Sequence, residues 1–357
     1  MKKTLKGLRN IFFTKTPMYV FLFVTSFCNA RCKMCFNWRE IENARRDEEL
    51  KLDEIKKIFG NFSSIQQLTI SGGEPFLRDD LPEILEFTSY ANDVQRITIP
   101  TGGILSDKIY GQSRRILDRI KKDTHLRIGL SVEGVGEKHD EIMQVKGAFK
   151  NLQETYRRLH SILNSYKNLN IDISICCSVF NKGDLKELIR YCDEYFKDCT
   201  IGICLARGDT RDSSSKNVTP AEYKEIIDYL YQLKTASKAN KPFAGLIDVL
   251  TKDVNNQVLQ ILETKKMPSR CYAYSKMIVL QSNGDVFPCE CLNRKLGNLR
   301  DCDYDIRRIL RQKDNKQTDK FIRGGNCCCT WECALINNIV CNPRLYPKVL
   351  RELITVK

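Results

Sequence analysis

The sequence predicts an α/β protein: a partial (β/α)6 TIM-like barrel followed by a small cysteine-rich C-terminal domain. Three observations carry that prediction. From Met18 to about Ala206, short β-branched runs alternate with amphipathic stretches, giving six β/α units in succession, the pattern of a parallel sheet curled into part of a barrel. Glycine-rich and cysteine-rich turns fall where the predicted strands end. Of 17 cysteines, three lie at 28–35 and nine between Cys271 and Cys341.

In chain order, the predicted strands are Met18–Thr25, Ile65–Ile70, Val94–Pro100, Leu126–Ser131, Ile171–Phe180 and Thr200–Leu205. Each is a β-branched or aromatic run bounded by turn residues. Leu52–Phe59, Leu81–Tyr90, Phe149–Leu163 and Leu185–Phe196 repeat apolar residues at helical spacing between them. Pro220 after Thr219 starts a helical stretch over 219–265. From Met267 the chain turns irregular and cysteine-rich. The expected organisation is a basic segment 1–17, a barrel core 18–218, bridging helices 219–265, a metal-organised domain 266–345 and a tail 346–357. A hairpin around Asn283-Gly284 is expected to bring Cys271 and Cys289 together.

Composition narrows the class. Hydrophobic residues at 42% and charged residues at 29% are ordinary for a globular protein. The N-terminal MKKTLKGLRN and MYVFLFV imitate an export signal, but the apolar run spans seven residues and Phe27 is too large for a cleavage site before Cys28. Clustered cysteines without an export signal point to metal ligation in a reducing, cytoplasmic setting. The net charge of +14 comes from lysines scattered along solvated faces, so no nucleic acid partner is expected. Within residues 1–13, Leu5, Leu8 and Phe12 share a helical face opposite Lys2, Lys3, Lys6 and Arg9. That segment either packs on its own domain or makes peripheral membrane contact.

The candidate chemistry starts at Cys28, Cys32 and Cys35, spaced C-x3-C-x2-C in CNARCKMCF. Iron–sulfur clusters normally take four thiolates, so three leave one iron open for another ligand. A structural zinc would want paired C-x-x-C knuckles or a nearby histidine, and the three histidines stand far off at 125, 139 and 160. Gly72-Gly73-Glu74-Pro75 follows the second predicted strand, Thr101-Gly102-Gly103 the third, and Ser131 and Glu133 close the fourth.

The triplet with Phe36 after Cys35, joined to GGEP, resembles the signature of radical S-adenosylmethionine (SAM) enzymes over roughly residues 18–210. The resemblance implies that Cys28, Cys32 and Cys35 hold a [4Fe–4S] cluster and that SAM fills the open iron. An external donor such as flavodoxin or ferredoxin then supplies the electron that cleaves SAM to a 5′-deoxyadenosyl radical. It also implies that backbone at Gly72, Gly73 and Glu74 receives the methionine ammonium and that Ser131 and Glu133 lie near the ribose. For Glu133 a solvated loop carboxylate is the competing reading. Met143 stands where the family carries an arginine, and Lys146 offers a substitute.

The C-terminal cysteines are similar to the auxiliary-cluster domain called SPASM, or its shorter form, twitch. Cys271, Gly284 and Cys289 match its start, and Cys329 and Cys333 its later C-x3-C. Cys271, Cys289, Cys329 and Cys333 are the implied ligands of one auxiliary [4Fe–4S] cluster, with Cys327 the alternative to Cys329. Glu290 is then the candidate catalytic base, or else a surface glutamate in a polar loop. Arg207 and Arg211 form an anion clamp or a solvated loop. Cys176, Cys177, Cys192, Cys199 and Cys204 read as small core residues.

The resemblance implies an oxidoreductase that takes hydrogen from a small polar alcohol or peptide side chain and passes an electron to the auxiliary cluster. A peptide maturase forming thioether or carbon–carbon crosslinks is the second reading. Such enzymes often carry an N-terminal leader-binding domain; the 17 residues before the first predicted strand weigh against one here, and a separate protein is then the expected leader binder. A redox-neutral epimerase with a cysteine hydrogen donor is the third. A binding or assembly protein would be expected to lack the open-iron triplet.

Overall fold

The computed structural model describes residues 14, 16–236 and 244–355; the amphipathic segment read over 1–13 lies outside them. Among the described residues, nine strands form one sheet, in the order β6-β5-β4-β3-β2-β1-β7-β8-β9. The first six are β1 (Tyr19–Thr25), β2 (Gln67–Gly72), β3 (Arg96–Thr101), β4 (His125–Ser131), β5 (Leu169–Cys177) and β6 (Thr200–Leu205). All six lie parallel. They are the six strands predicted, with bounds shifted by up to three residues.

Period-2 alternation positions the site. In β4, Leu126, Ile128 and Leu130 are fully buried beneath the helices, while Arg127, Gly129 and Ser131 point to the opposite, concave face. On that face Arg127 pairs with Asp172 of β5, and Cys176 of β5 lies beside Cys204 of β6 in register.

The helices are α1 (Trp38–Glu42), α2 (Leu52–Gly60), α3 (Leu81–Ala91), α4 (Ser106–Arg119), α5 (Glu137–Met143), α6 (Ala148–Ser161) and α7 (Leu185–Tyr195). They continue with α8 (Pro220–Ala236), α9 (Ala244–Thr264), α10 (Ile306–Arg311), α11 (Lys313–Arg323), α12 (Glu332–Val340) and α13 (Tyr346–Thr355). At the start of α8 the Thr219 hydroxyl accepts from Glu222 N–H at 3.2 Å, and the Glu222 carboxylate accepts from Thr219 N–H at 2.8 Å. This reciprocal cap, with proline at the first helical position, fixes where the helix begins.

The C-terminal region is continuous with the barrel. β7 (Met277–Leu280) runs parallel to β1 with Tyr19 opposite Met277. The expected hairpin then turns at Gly284, whose φ of +89° suits glycine, into β8 (Asp285–Phe287), and β9 (Gly297–Asn298) follows. The residues read as a tail end in helix α13. Most consequential is the start of α12. Trp331 is fully buried with its ring 4.8 Å from Phe21 of β1, and the Glu332 carboxylate accepts the Leu205 N–H of β6 at 3.2 Å. The segment 331–333 therefore fills the barrel interior.

Candidate active site

The cysteine loop leaves β1 and is fastened on several sides. The Glu49 carboxylate accepts the Thr25 hydroxyl at 2.6 Å and the Ser26 N–H at 2.9 Å. Arg31 and Lys33 donate their N–H groups to the Met143 and Ile142 carbonyls at the end of α5, each at 3.1 Å. Beyond β6, Arg211 N–H reaches the Cys35 carbonyl at 3.0 Å and Asp212 N–H the Lys33 carbonyl at 2.9 Å.

Burial pushes all three thiols up, Cys28 to about 11 and Cys32 further, with mutual repulsion adding to the rise at Cys32. The backbone N–H groups of Ala30 and Asn37 turn toward Cys28 and Cys35 and work the other way. Three converging thiols, partly served by N–H donors, suit a cationic cluster whose sulfur ligands need such donors. Among the described residues, no three His, Cys, Asp or Glu side chains converge on a point that would hold a single metal ion. A cluster asks for less, because each thiolate binds its own iron.

The glycine turn explains how β2 approaches this loop. A Cβ on Gly73 would stand 2.0 Å from the Phe27 carbonyl oxygen, and one on Gly72, at φ +117°, 2.2 Å from that of Thr25. Gly73 N–H bonds Thr25 O and Glu74 N–H bonds Phe27 O, both at 2.8 Å. The Glu74 side chain turns inward, accepting the Thr101 hydroxyl at 2.9 Å and Gly102 N–H at 3.1 Å. The predicted turns after β2 and β3 are thus tied together, with the backbone of 72–74 lying against the triplet.

Ser131 and Glu133 lie at the end of β4. Glu133 is buried, not solvated: its carboxylate accepts Cys176 N–H at 2.9 Å, and its own N–H donates to His139 Nδ1 at 3.1 Å. Burial, then the nearby Cys204, raises its carboxyl well above the usual range. Met143 takes up the Cys32 thiol at 3.3 Å through its sulfur, so an apolar contact occupies the place of the family's arginine; Lys146 is exposed. Phe36 packs edge-on to Phe23 of β1 at 6.3 Å.

A second cysteine site lies at the other end of the strands. The hairpin sets Cys289 level with the start of β7, whereas the triplet follows the end of β1. Cys271, Cys289, Cys291, Cys327, Cys328 and Cys329 line one cavity, closed by Met267, Leu292 and Trp331 among others. Ala273 N–H points at the Cys271 sulfur and Leu292 N–H at the Cys289 sulfur, at 3.5 and 3.3 Å. A cluster of thiols served by backbone donors fits an iron–sulfur group. Cys333 stands apart from that wall and faces Glu290, Arg207, Glu332 and Cys204.

Between the two ends lies a buried ion set. Glu290 accepts from Arg207 at 2.9 Å, and Glu332 lies 3.8 Å from the same guanidinium. The Arg207 guanidinium also sits 5.6 Å from the Phe36 ring and 6.0 Å from Trp331. Arg207 is therefore no solvated loop residue; Arg211 turns instead to Glu42. Burial raises Glu290, opposed by Arg207, and raises Glu332 to about 8. Cys176 and Cys204 are register partners beside Arg207, and Cys176 and then the Arg207 charge lower Cys204. The spacing of Cys176 and Cys204 announces none of this, because only the strand register aligns them.

Residues 22–214, more than half of the chain, match the Radical SAM superfamily. The AdoMet-dependent heme synthase of Methanosarcina barkeri is 23% identical over 305 residues, 81% of this chain and 81% of that protein. The GTP 3′,8-cyclase of Helicobacter pylori is 23% identical over 316 residues, 86% of this chain and 92% of that protein. Among solved structures, Streptococcus suis SuiB bound to S-adenosylmethionine shares the fold with a TM-score of 0.61 at 17% identity, covering 90% of this chain and 72% of that one. Histidine-tagged anSMEcpe with bound AdoMet gives 0.58 at 17% identity, covering 95% and 96%. The superfamily match runs from within β1 to beyond β6, across the strands that carry the triplet, the glycine turn and Glu133: the chain belongs to the radical SAM superfamily, as an enzyme that holds a [4Fe–4S] cluster and S-adenosylmethionine.

Proposed function

We propose that this enzyme is an oxidoreductase that removes a hydrogen atom, a proton and an electron from one substrate carbon centre and its polar substituent. The observation that carries the reading is the buried Arg207–Glu290–Glu332 set, lying inside the barrel between the triplet and the second thiol cavity. When bound, the SAM-ligated cluster supplies a 5′-deoxyadenosyl radical for the hydrogen atom, and an auxiliary cluster supplies an acceptor for the electron. Cys28, Cys32 and Cys35 hold the first; Cys271, Cys289, Cys329 and one further thiol hold the second.

The residues of the chain do the rest. The backbone of 72–74 and the end of β4, with Ser131 and Glu133, border the SAM site, and Trp331 and Phe21 exclude water from the interior. Glu290 takes the substrate proton. Its carboxylate is raised by burial while Arg207 keeps it oriented toward the interior. Two carboxylates share one guanidinium, so a small polar alcohol or a peptide side chain entering here meets both an acceptor and a donor. A peptide is the second substrate reading, supported by SuiB, which is also seen bound to its precursor peptide SuiA. An external flavodoxin- or ferredoxin-like donor completes the cycle.

The test is anaerobic reconstitution followed by SAM and dithionite. Wild type is expected to release 5′-deoxyadenosine and Cys32→Ala none; equal inertness of the two would sink the reading. With a deuterated candidate alcohol or peptide, deuterium should appear in 5′-deoxyadenosine. Glu290→Gln should lower product formation by about 10²-fold or more, and normal turnover would remove Glu290 from the mechanism.

A further inference from the structure

The second cysteine site has more thiols than one cluster needs, and their placement distinguishes them. Cys289, Glu290 and Cys291 are consecutive and follow β8. The chain bends through 288–292, and the contacts divide these three side chains between two sides. Cys289 and Cys291 both line the cavity, while Glu290 turns the other way, to Arg207 at 2.9 Å. The Cys291 and Cys329 thiols are neighbours on that cavity. Cys271 completes the wall, its sulfur already facing Ala273 N–H.

Cys333 is placed differently. It sits in the first turn of α12, immediately after Trp331 and Glu332, and that segment is plugged into the barrel by the Phe21 ring and the Leu205 N–H. Its charged neighbours are Glu290, Arg207 and Glu332, and its thiol neighbour is Cys204 of β6. Trp331 and Ala334, on either side of it in the chain, line the cavity, but Cys333 does not. Cys327 lies on the cavity but near its rim, beside exposed Cys328 and Arg294.

Resting on the auxiliary-cluster reading above, we propose that Cys291, and not Cys333, is the fourth thiolate of that cluster, beside Cys271, Cys289 and Cys329. Cys333 is thereby left as a free thiol inside the barrel, next to Cys204 and the ion set. The ligand pattern becomes C-x17-C-x-C with Cys329 closing it, and the C-x3-C spacing of Cys329 and Cys333 is coincidental to iron binding.

The test uses the full-length chain carrying Cys28→Ala, Cys32→Ala and Cys35→Ala, reconstituted anaerobically with iron and sulfide. Iron, sulfide and the dithionite-reduced EPR spectrum are read, with far-UV circular dichroism confirming fold. This parent should hold about four irons, given one four-iron cluster. Adding Cys291→Ala should take iron below one per chain or leave a three-iron species. Adding Cys333→Ala or Cys327→Ala should change neither iron nor spectrum. Cys291→Ser should retain iron with shifted EPR and visible bands, which oxygen ligation produces and a packing defect does not. Four irons with an unchanged spectrum in Cys291→Ala, or their loss in Cys333→Ala, would overturn the assignment while leaving the cluster. A folded parent without iron would overturn the auxiliary cluster itself.

Discussion

Gly73→Ala tests the junction between the cysteine loop and the glycine turn. The added Cβ would meet the Phe27 carbonyl oxygen at 2.0 Å, its carbon at 2.5 Å and the Cys28 nitrogen at 3.1 Å. All three are backbone atoms, so no side chain can rotate away. Reaching even 3.0 Å from the oxygen requires the 27–28 peptide to retreat by about 1 Å. That peptide also accepts Glu74 N–H at 2.8 Å and leads directly into Cys28. Overpacking of this kind costs about 1–3 kcal/mol, and misplacing a reacting group by about 1 Å costs about 10²-fold in rate.

The assay compares iron content and the initial rate of 5′-deoxyadenosine release in wild type, Gly73→Ala and Gly60→Ala. Gly60 ends α2 and its Cβ would meet nothing within 4 Å, so that variant controls for the substitution itself. Gly73→Ala should lose about 10²-fold in rate, with iron held or partly lost, while Gly60→Ala should match wild type. Wild-type rate and iron in Gly73→Ala would refute the claim that backbone contact at 73 sets the position of Cys28.

Three further outcomes follow from His139, Glu54 and Arg207. Burial lowers His139 to about 4, so between pH 6.5 and 4 the unfolded chain holds a proton that the folded one does not; stability should fall with pH through that window by up to about 3 kcal/mol. Urea midpoints of the apo chain should show that loss relative to His139→Gln, and parallel profiles would reject it. Hydrogen bonds from Arg300 and Tyr304 hold Glu54 at about 2; its stabilisation is present above the usual carboxylate pKa and lost as pH falls through about 2. Glu54→Gln should therefore cost about 1–2 kcal/mol at pH 7, discounted for partial exposure, and little at pH 2. Arg207→Met should destabilise by about 3–5 kcal/mol because it strands buried carboxylates, and adding Glu290→Gln should recover part of that; additive thermal shifts would show that the pair is not coupled.

The barrel was legible because its signals are local. In β4 the alternation of Leu126, Ile128 and Leu130 with Arg127, Gly129 and Ser131 is written in the chain itself, and Thr200–Leu205 is bounded by the residues that bound β6. What stayed hidden depends on partners far away in sequence. β7 joins β1 across more than two hundred residues, and no pattern in MIVL says which strand it will pair with. Arg207 becomes a buried ion only because Glu290, 83 residues on, meets it. Glu133 looks like a loop carboxylate until Cys176 N–H and His139 enclose it. Cys291 is the intermediate case: C-E-C stands openly in the sequence, but only the fold shows that Cys289 and Cys291 line one cavity while Glu290 meets Arg207.

The sheet topology relates the two cysteine sites. β1 is flanked by β2, which brings the glycine turn to its C-terminal end, and by β7, whose hairpin returns Cys289 to its N-terminal end. Seven residues of β1 at about 3.3 Å each separate those ends by roughly 20 Å. The sites are thus held apart by a rigid strand rather than by a linker, and their spacing cannot drift as two loosely joined domains would allow. The space between them is already claimed: Phe21, Trp331 and Arg207 occupy it with Glu290 and Glu332. A substrate that reaches both ends must lie along β1 and displace or engage Arg207, whose guanidinium spans from Phe36 beside the triplet to Glu290 beside the cavity. Under the proposed function, Arg207 is where substrate binding and the second site would be coupled. Arg207→Lys keeps the charge but loses the planar fork, so it should weaken substrate binding more than SAM cleavage, seen as a raised KM with 5′-deoxyadenosine release intact.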